Sequence, residues 1–549
     1  MSSVSKDPEE FDAIVIGSGA AGMTCALAAS VGGLRVIVLE KSHLVGGTSA
    51  MSGADTWVPA NHVAATEGIQ DSPEEALTYF DNALGPTLAN RFRGHWKALC
   101  DNAGPMLRTV TDNTPLEFKL TPAPDPIDVD GAKAYGRNLS PMVLPRRLAG
   151  PFAARIRRST LPHLFTFQEM FSPNPWARPF YTIYKMGPEL ARRWLTGRAG
   201  QGTALITGLV AGFLAKGGEI RTEQTVAELL TSNGEVTGVR LSDGHEIGAS
   251  LGVLIASGGF EWDAERYGKH FPGETDWLCT PDTNTGGGLS LVERVGAALD
   301  QMEEANVHPA LPTCYEGRAH GMPVPWHVGP NGIIVNAKAK RFVSEYDYNL
   351  GAVLNQRDAD GQPVNLPAWL ICDRAFVYRN LTFAWYAWRA KGWMRKASTL
   401  SALARQLDLD PHVLEDTVAR FNSYCSQNHD PEHHRGEPLW ERFRSGKWKD
   451  GEKNLALGGI GIGPYYAMPI NRSILGTKGG PLTNAEGQVL STEGEVIRGL
   501  YAAGNVMANP IGSRAISAGT TIGPHMTMGY ICARTMIEKN DRLKERRHD

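Results

Sequence analysis

The sequence predicts an α/β fold, a mostly parallel sheet wound with helices and interrupted by a second, α+β segment. Three observations carry the prediction. A short β-branched run at residues 13–16 leads straight into a glycine turn and a helix of small residues. The same strand-to-glycine pattern returns at residues 251–260 (LGVLIASGGF) and 499–505 (GLYAAGN). Between about 280 and 449 it stops and a different pattern takes over.

The first element sets the theme. Gly17, Gly19 and Gly22 spell G-x-G-x-x-G, with Ala20 and Ala21 between the second and third. The first glycine permits the tight turn, the second lets the backbone come close to a pyrophosphate, and the third lets the helix pack on the strand. Residues 23–30 are small and helical, and residues 35–39 form a second apolar strand. It ends in Glu40, placed about 20 residues on, where an acid can accept hydrogen bonds from a ribose. Strand, turn, helix, strand and acid in this order make a Rossmann-like unit. Lys41 follows, then a second turn that runs Gly46-Gly47-Thr48-Ser49 and Ser52-Gly53.

Composition bounds the rest. The 549 residues are 42% hydrophobic and 21% charged, as in a globular protein with a large core. A net charge of −3 gives no electrostatic reason to expect nucleic acid. Seven cysteines without a C-x-x-C pair fit a reduced, cytoplasmic enzyme rather than a disulfide scaffold or a zinc site. The start of the chain is polar, not the apolar run of a secretory signal, and no stretch approaches about 18 unbroken apolar residues.

Ser72-Pro73-Glu74-Glu75 opens a surface helix to residue 84, and residues 91–110 form another. Residues 122–145, rich in proline, glycine and aspartate, read as a loop excursion. Residues 143–198 then interleave nine arginines with aromatics such as Trp176, Phe180, Tyr184 and Trp194. A packed excursion with a solvated basic face is the favoured reading there, ahead of a lid-like or peripheral membrane-facing surface. From residue 200 the nucleotide pattern resumes with a helix at 204–216, a strand at 219–230, a hairpin at 234–247, and the strand ending at Ala256, Gly258 and Gly259. The expected organisation is a first domain part at 1–280, an insertion at 281–449, and a return at 450–549. Within the last, residues 476–480 (GTKGG), Gly504-Asn505 and residues 518–524 (AGTTIGP) form one run. The helix that starts near Gly519, Thr520 and Ile522 offers free amide donors.

The turn at 46–53 resembles the FAD-binding flavoproteins of the fumarate reductase and succinate dehydrogenase superfamily. GTKGG, YAAGN and AGTTIGP, at this spacing, are similar to the 3-ketosteroid Δ1-dehydrogenases in particular. The resemblance implies a Rossmann-like FAD-binding domain with an inserted α+β capping domain that closes over the flavin. It places FAD along Gly17 to Gly22, Glu40, Lys41, Gly46 to Ser49, Ser52, Gly53, Ala256, Gly258, Gly504, Asn505, Thr520 and Ile522, with the Val226 backbone at the adenine. It implies α,β-dehydrogenation of a small hydrophobic cyclic ketone, in which a base takes the α-proton and flavin N5 takes a hydride from the β-carbon. Electrons then leave to a diffusible acceptor rather than NAD, since there is one dinucleotide fingerprint and FAD occupies it.

Several positions depart from the family pattern. Gly519 matches the residue whose amide holds the ketone oxygen, but the tyrosine expected four residues earlier is Ala515. Residues 123–126 (APDP) lack the family's early tyrosine, and Gly287 replaces an acid in the turn 284–288. For the base, the candidates are Tyr315, His320 and His327, each more readily structural than catalytic. Arg514 or His525 could replace the missing donor. The preferred expectation is instead a differently shaped ketone filling the space beside Ala515 and Ile516. Arg514 also lies near the arginine of fumarate reductases, which keeps reduction of an activated C=C bond as the alternative; a flavin-binding protein without a substrate is the remaining one.

Overall fold

The strand Glu9–Ile16 is the axis of the molecule in a computed structural model that describes residues 9–175, 178–273, 275, 277–389, 392–446 and 449–548. Trp176 and residues 1–8 lie outside the described residues. Glu9–Ile16 pairs in parallel with Val36–Leu39 on one side and Glu246–Ile255 on the other. Glu219–Arg221 extends the sheet beyond the first, and Val496–Ala502 beyond the second. Glu235–Leu241 pairs antiparallel with Glu246–Ile255, as the hairpin pattern predicts, and Val226–Ser232 joins its other side antiparallel; the one strand expected at 219–230 is broken into Glu219–Arg221 and Val226–Ser232. In register, Ile16 stands beside Leu39 and Ile255, and Ile255 beside Ala502. Gly17, Glu40, Ala256 and Ala503 therefore leave the sheet along one edge. Carboxyl ends of parallel strands are where such folds bind ligands.

The glycines explain how closely this edge is built. A Cβ on Gly22 would lie 2.2 Å from the Gly17 carbonyl oxygen, so the helix Ala20–Val31 rests directly on the turn. The long helix Ile522–His548 crosses it equally tightly, with a Cβ on Gly529 falling 2.2 Å from the Ala21 carbonyl oxygen.

The second domain is a four-stranded antiparallel sheet in the order Gly332–Asn336, Ala368–Cys372, Tyr465–Ile470, Arg395–Ala397. Its third strand in that order comes from beyond residue 449, where the sequence pattern gave no sign of it. One face packs Ile334, Leu370, Phe376 and Met468; the other packs Ile333, Ile371, Leu403 and Phe421 under the helices Leu400–Gln406 and Pro411–Gln427. A buried ion network pins the first strand to the following loop. Glu345 meets Arg435 at 2.7 Å and Arg341 at 3.1 Å, and Arg341 meets Asp430 at 2.9 Å. Removing one member of such a network leaves a buried charge unpaired and costs about 3–5 kcal/mol.

The basic excursion divides in two. The helix Phe167–Phe171 carries a capping box between Thr166 and Glu169, and Glu169 also pairs with buried Arg193. The helix Pro179–Leu195 is less covered than a packed excursion requires, with Phe180, Tyr184 and Trp194 at 85%, 86% and 72% exposure. Among the described residues no helix is long and apolar enough to cross a membrane.

Candidate active site

An elongated cavity of about 310 Å³ runs along the carboxyl edge of the sheet. One wall is Gly17, Ser18, Gly19, Ala20, Ala21, Glu40 and Lys41, continued by Gly47, Thr48, Ser49 and Ser52. Val226, Ala256, Gly258 and Gly287 form the other, and Asn306, Gly504, Asn505, Thr521, Ile522 and His525 close the far end. Four of the residues expected in the cradle stand behind it. Gly22 supports the turn, and Gly46 donates its N–H to Ser18 Oγ at 2.8 Å. Gly53 leaves room for the Phe167 ring, which would lie 2.7 Å from a Cβ there, and Thr520 donates its hydroxyl to the Ser517 carbonyl.

The cradle is tied together by residues the motif does not specify. Ser18 N–H and Oγ–H donate to Glu40 Oε2 at 3.1 and 2.7 Å, and Ser42 N–H donates to Oε1 at 2.9 Å. With Gly46 bound to the same Ser18 hydroxyl, the acid joins the first glycine turn to the second. Three acceptor positions are taken, and an ionised carboxylate has about four, so capacity remains for a ribose. Ser49 Oγ accepts the Ala20 N–H at 3.0 Å from the other side. Gly47 and Gly287 line the cavity with nothing within 4 Å of where a Cβ would stand, and Asn505 Oδ1 is buried without a partner. An adenine dinucleotide fits this set: an acid for the ribose, side-chain-free backbone for the pyrophosphate, and a free amide oxygen at the far end. Gly287 thus clears space where the family pattern carries an acid.

At that far end His525 is held as a neutral imidazole, its pKa pushed down to about 3 by burial and by the cationic Lys478. Lys478, from the GTKGG turn, is itself lowered to about 8 by burial and donates to the Gly512 carbonyl at 2.7 Å.

Beyond the Ser52 turn the two domains meet along a seam. Gly519 has φ +78°, its carbonyl accepts the Trp57 and Gly523 N–H groups, and a Cβ would fall 2.6 Å from Trp57 N. Its own N–H reaches no protein acceptor among the described residues. Beside it, buried Asp55 accepts the Thr121 hydroxyl at 2.7 Å through Oδ1, while Oδ2 has no partner. Burial pushes its pKa up to about 7. From the cap, Tyr348 comes near enough to feel that charge. Burial raises the Tyr348 phenol, Asp55 raises it further, and Arg444 opposes both. The Tyr348 ring meets Trp440 edge-on at 4.7 Å, and Phe171 meets Phe443 at 5.3 Å, bringing the excursion onto the cap helix Leu439–Ser445. Asn349 fastens the seam, accepting the Ala515 N–H at 2.8 Å and donating to its carbonyl at 3.1 Å.

The structure scatters the other candidates. Tyr315 sits on the hairpin Leu311–Tyr315 and Arg318–Met322 and donates its hydroxyl to the Arg158 carbonyl at 2.6 Å, outside the cavity lining. His320 has both ring nitrogens against carbonyls, of Gly321 at 2.8 Å and Thr280 at 3.2 Å. His327 is buried against His308 and Trp326, with its pKa driven far down by burial. Arg514 is exposed and lines a separate surface cleft of about 660 Å³ with Asp347, Tyr348 and His434. Ile516 is wholly buried and its carbonyl accepts the Tyr79 hydroxyl, so it lines neither opening. Asp55 and Tyr348 escaped the sequence reading. The only signals were an acid inside the apolar stretch at 54–58 (ADTWV) and a tyrosine just past the cap strand.

Comparison with known proteins agrees with this geometry. The model of the FAD binding domain family matches residues 12–522. The chain is 32% identical to a 3-oxosteroid 1-dehydrogenase of Mycobacterium tuberculosis, over 96% of this chain and 98% of that protein. It is 33% identical to a 4-oxocyclohexanecarboxylate 2-dehydrogenase of Sinomonas cyclohexanicum, over 96% and 92%. Among solved structures, the 3-ketosteroid Δ1-dehydrogenase of Sterolibacterium denitrificans, in complex with 1,4-androstadiene-3,17-dione, superposes with a TM-score of 0.86 at 28% identity, covering 97% of this chain and 100% of that one.

Proposed function

The chain belongs to the FAD-binding flavoproteins of the 3-oxosteroid 1-dehydrogenase family, and from that premise we propose how it dehydrogenates the α,β carbon–carbon bond of a ring ketone. The cavity on the sheet edge would hold FAD, with Glu40 accepting from its ribose and the Gly17 to Ala21 turn donating to its pyrophosphate. When bound, it supplies the acceptor for the hydride that leaves the β-carbon. The ketone lies in the seam. The observation that carries this is Gly519: its carbonyl is pinned by two amides, its φ excludes a side chain, and its own N–H is left to donate to the ketone oxygen. That hydrogen bond acidifies the α-carbon, because it strengthens as negative charge moves onto the oxygen.

As its phenolate, formed by loss of the hydroxyl proton to solvent, Tyr348 takes the α-proton. Its hydroxyl meets no protein acceptor among the described residues, and Arg444 stabilises the charged form of the phenol. Asp55 opposes that form when ionised and relaxes when protonated. Histidines make poorer bases here, since burial already holds His327 and His525 neutral with very low proton affinity. Reduction of an activated C=C bond in a dicarboxylate is disfavoured by the exposure of Arg514, the one arginine the sequence offers for it, to solvent. Ring ketones of the relatives span steroids and cyclohexanecarboxylates. With one dinucleotide fingerprint in the chain, the electrons would pass to a diffusible acceptor rather than to NAD.

Anaerobic mixing of the yellow holoenzyme with androstenedione-like steroids and with substituted cyclohexanones tests the reading. Bleaching of the flavin band by at least one ring ketone is expected, followed by turnover with an artificial dye and none with NAD. A flavin untouched by every ketone in the panel would overturn it.

A further inference from the structure

We infer that the substrate is a ring ketone bearing a carboxylate, and that Arg444 is the residue that binds the carboxylate. This rests on the ring-ketone reading above. Buried arginines elsewhere are matched: Arg137 by Asp71 and Asp125, Arg193 by Glu169 and Glu189, Arg341 and Arg435 by Glu345. Arg472 donates to the carbonyls of Phe271 and Pro272. Arg444 differs. Its guanidinium carbon stands 5.7 Å from the Phe171 ring and 5.9 Å from the Trp440 ring, and among the described residues it has neither an ion pair nor a hydrogen bond. Ionisable groups that feel its charge include Tyr346, Tyr348, His308 and His327, none of them an anion at neutral pH. Arg444 is half-buried, and a guanidinium partly withdrawn from water with no anion beside it leaves its charge for a ligand to answer.

The chemistry of the missing partner follows from the site. A guanidinium presents its N–H donors in a planar fork that matches a carboxylate in bidentate fashion. The two flanking aromatic faces suit a flat or puckered ring. Arg444 comes from the cap helix Leu439–Ser445, whereas Gly519 belongs to the FAD-binding domain. One molecule held at both would have its ketone on one domain and its acid on the other. Binding the acid would thus help to hold the cap against the flavin domain.

The test uses the holoenzyme with 4-oxocyclohexanecarboxylate, its methyl ester and cyclohexanone. The wild type should favour the acid over the ester on the order of 100-fold in kcat/KM, the size of a charge-assisted bidentate pair. Arg444→Gln should abolish that preference, lowering turnover of the acid far more than that of cyclohexanone, which falls only as far as Tyr348 loses the Arg444 charge, and Arg444→Lys should restore part of it. Cyclohexanecarboxylate, which has no ketone to react, should perturb the flavin absorbance of the wild type and not of Arg444→Gln. Equal rates for acid and ester, with no binding of cyclohexanecarboxylate, would overturn the inference. So would an equal loss on all three ketones with a displaced pH profile, because Arg444 would then act through Tyr348. Failure of every ketone to react while cyclohexanecarboxylate still binds through Arg444 would instead count against the ring-ketone reading alone.

Discussion

The flavin cradle and the domain seam are built by opposite strategies. The cradle is made mostly of backbone near three strand ends, and its key side chains hold one another: Glu40, Ser18 and Gly46 close a single chain of hydrogen bonds. The seam is made of side chains from segments hundreds of residues apart, and several of them are left unsatisfied. Among the described residues Asp55 Oδ2 has no partner, the Gly519 N–H meets no acceptor, and Arg444 faces aromatic rings. A site that binds one cofactor permanently can be completed by the protein itself. One that must bind and release a substrate keeps its polar groups for that substrate, at some expense in stability.

That contrast predicts which substitutions separate binding of FAD from turnover. The largest effect should come from Tyr348→Phe, which removes the proposed proton acceptor and leaves the ring packing on Trp440. A loss of about 10²–10⁴-fold in kcat is expected, with FAD content unchanged. Because burial raises the phenol, wild-type kcat/KM should climb with pH through and beyond neutrality, and the residual activity of the variant should not. A flavin-depleted Tyr348→Phe protein would erase the distinction between the two regions.

Gly519→Ala should come next. The added methyl group would meet Trp57 N at 2.6 Å, so the turn must shift and carry its amide away from the ketone. Losing one oxyanion donor costs about 2.7–4 kcal/mol of barrier. Ketone dissociation constants and single-turnover flavin reduction, measured together, will show whether the loss lies in the chemical step as expected.

Asp55→Asn sharpens the comparison through stability. The folded pKa is about 7 against an ordinary 3.8, so between those values the folded state holds a proton that the unfolded state has lost. Stability therefore falls as pH rises through that window, by about 1.4 kcal/mol for each unit, and the penalty is complete above pH 7. Asparagine keeps the acceptor for Thr121 and has no charge to desolvate. The variant should melt higher than the wild type at pH 8 and close to it at pH 4. A gain confined to acid pH would mean that Asp55 is ionised and paired at neutrality.

The smallest effect is expected in the cradle. Glu40→Ala frees Ser18, Ser42 and a ribose hydroxyl at once, yet the backbone contacts around them persist. FAD affinity should fall by about 1–3 kcal/mol, read by equilibrium titration of the apoprotein, while kcat of the loaded fraction stays near wild type. Undiminished FAD affinity would show that the acid only braces the two turns.

Legibility followed the same division. The strand at 13–16, the glycine turn, Glu40 and the returning strands were readable because each rests on a short local pattern: apolar runs for buried strands, glycines where backbone must come close, an acid at fixed spacing. The sheet edge on which they converge follows from those patterns and from parallel pairing. Even here Ser18 was invisible, since a serine between two glycines states nothing about the acid it will bind 22 residues on. The third strand of the cap sheet, Tyr465–Ile470, was hidden for a related reason: its partner Ala368–Cys372 lies far back in the chain and no turn connects them.

What the sequence by itself determined, then, was the α/β class, the dinucleotide edge and the family resemblance, all of them encoded within runs of a few dozen residues. The seam was decided by tertiary structure alone. Asp55, Tyr348 and Arg444 belong to three segments with no common motif, and only the packing of cap against sheet brings Asp55 beside Gly519 and sets Tyr348 between the charges of Asp55 and Arg444. Burial then shifts the acid and the phenol away from their ordinary ionisation, and burial is a property of the folded neighbourhood, not of the residue or its neighbours in the chain.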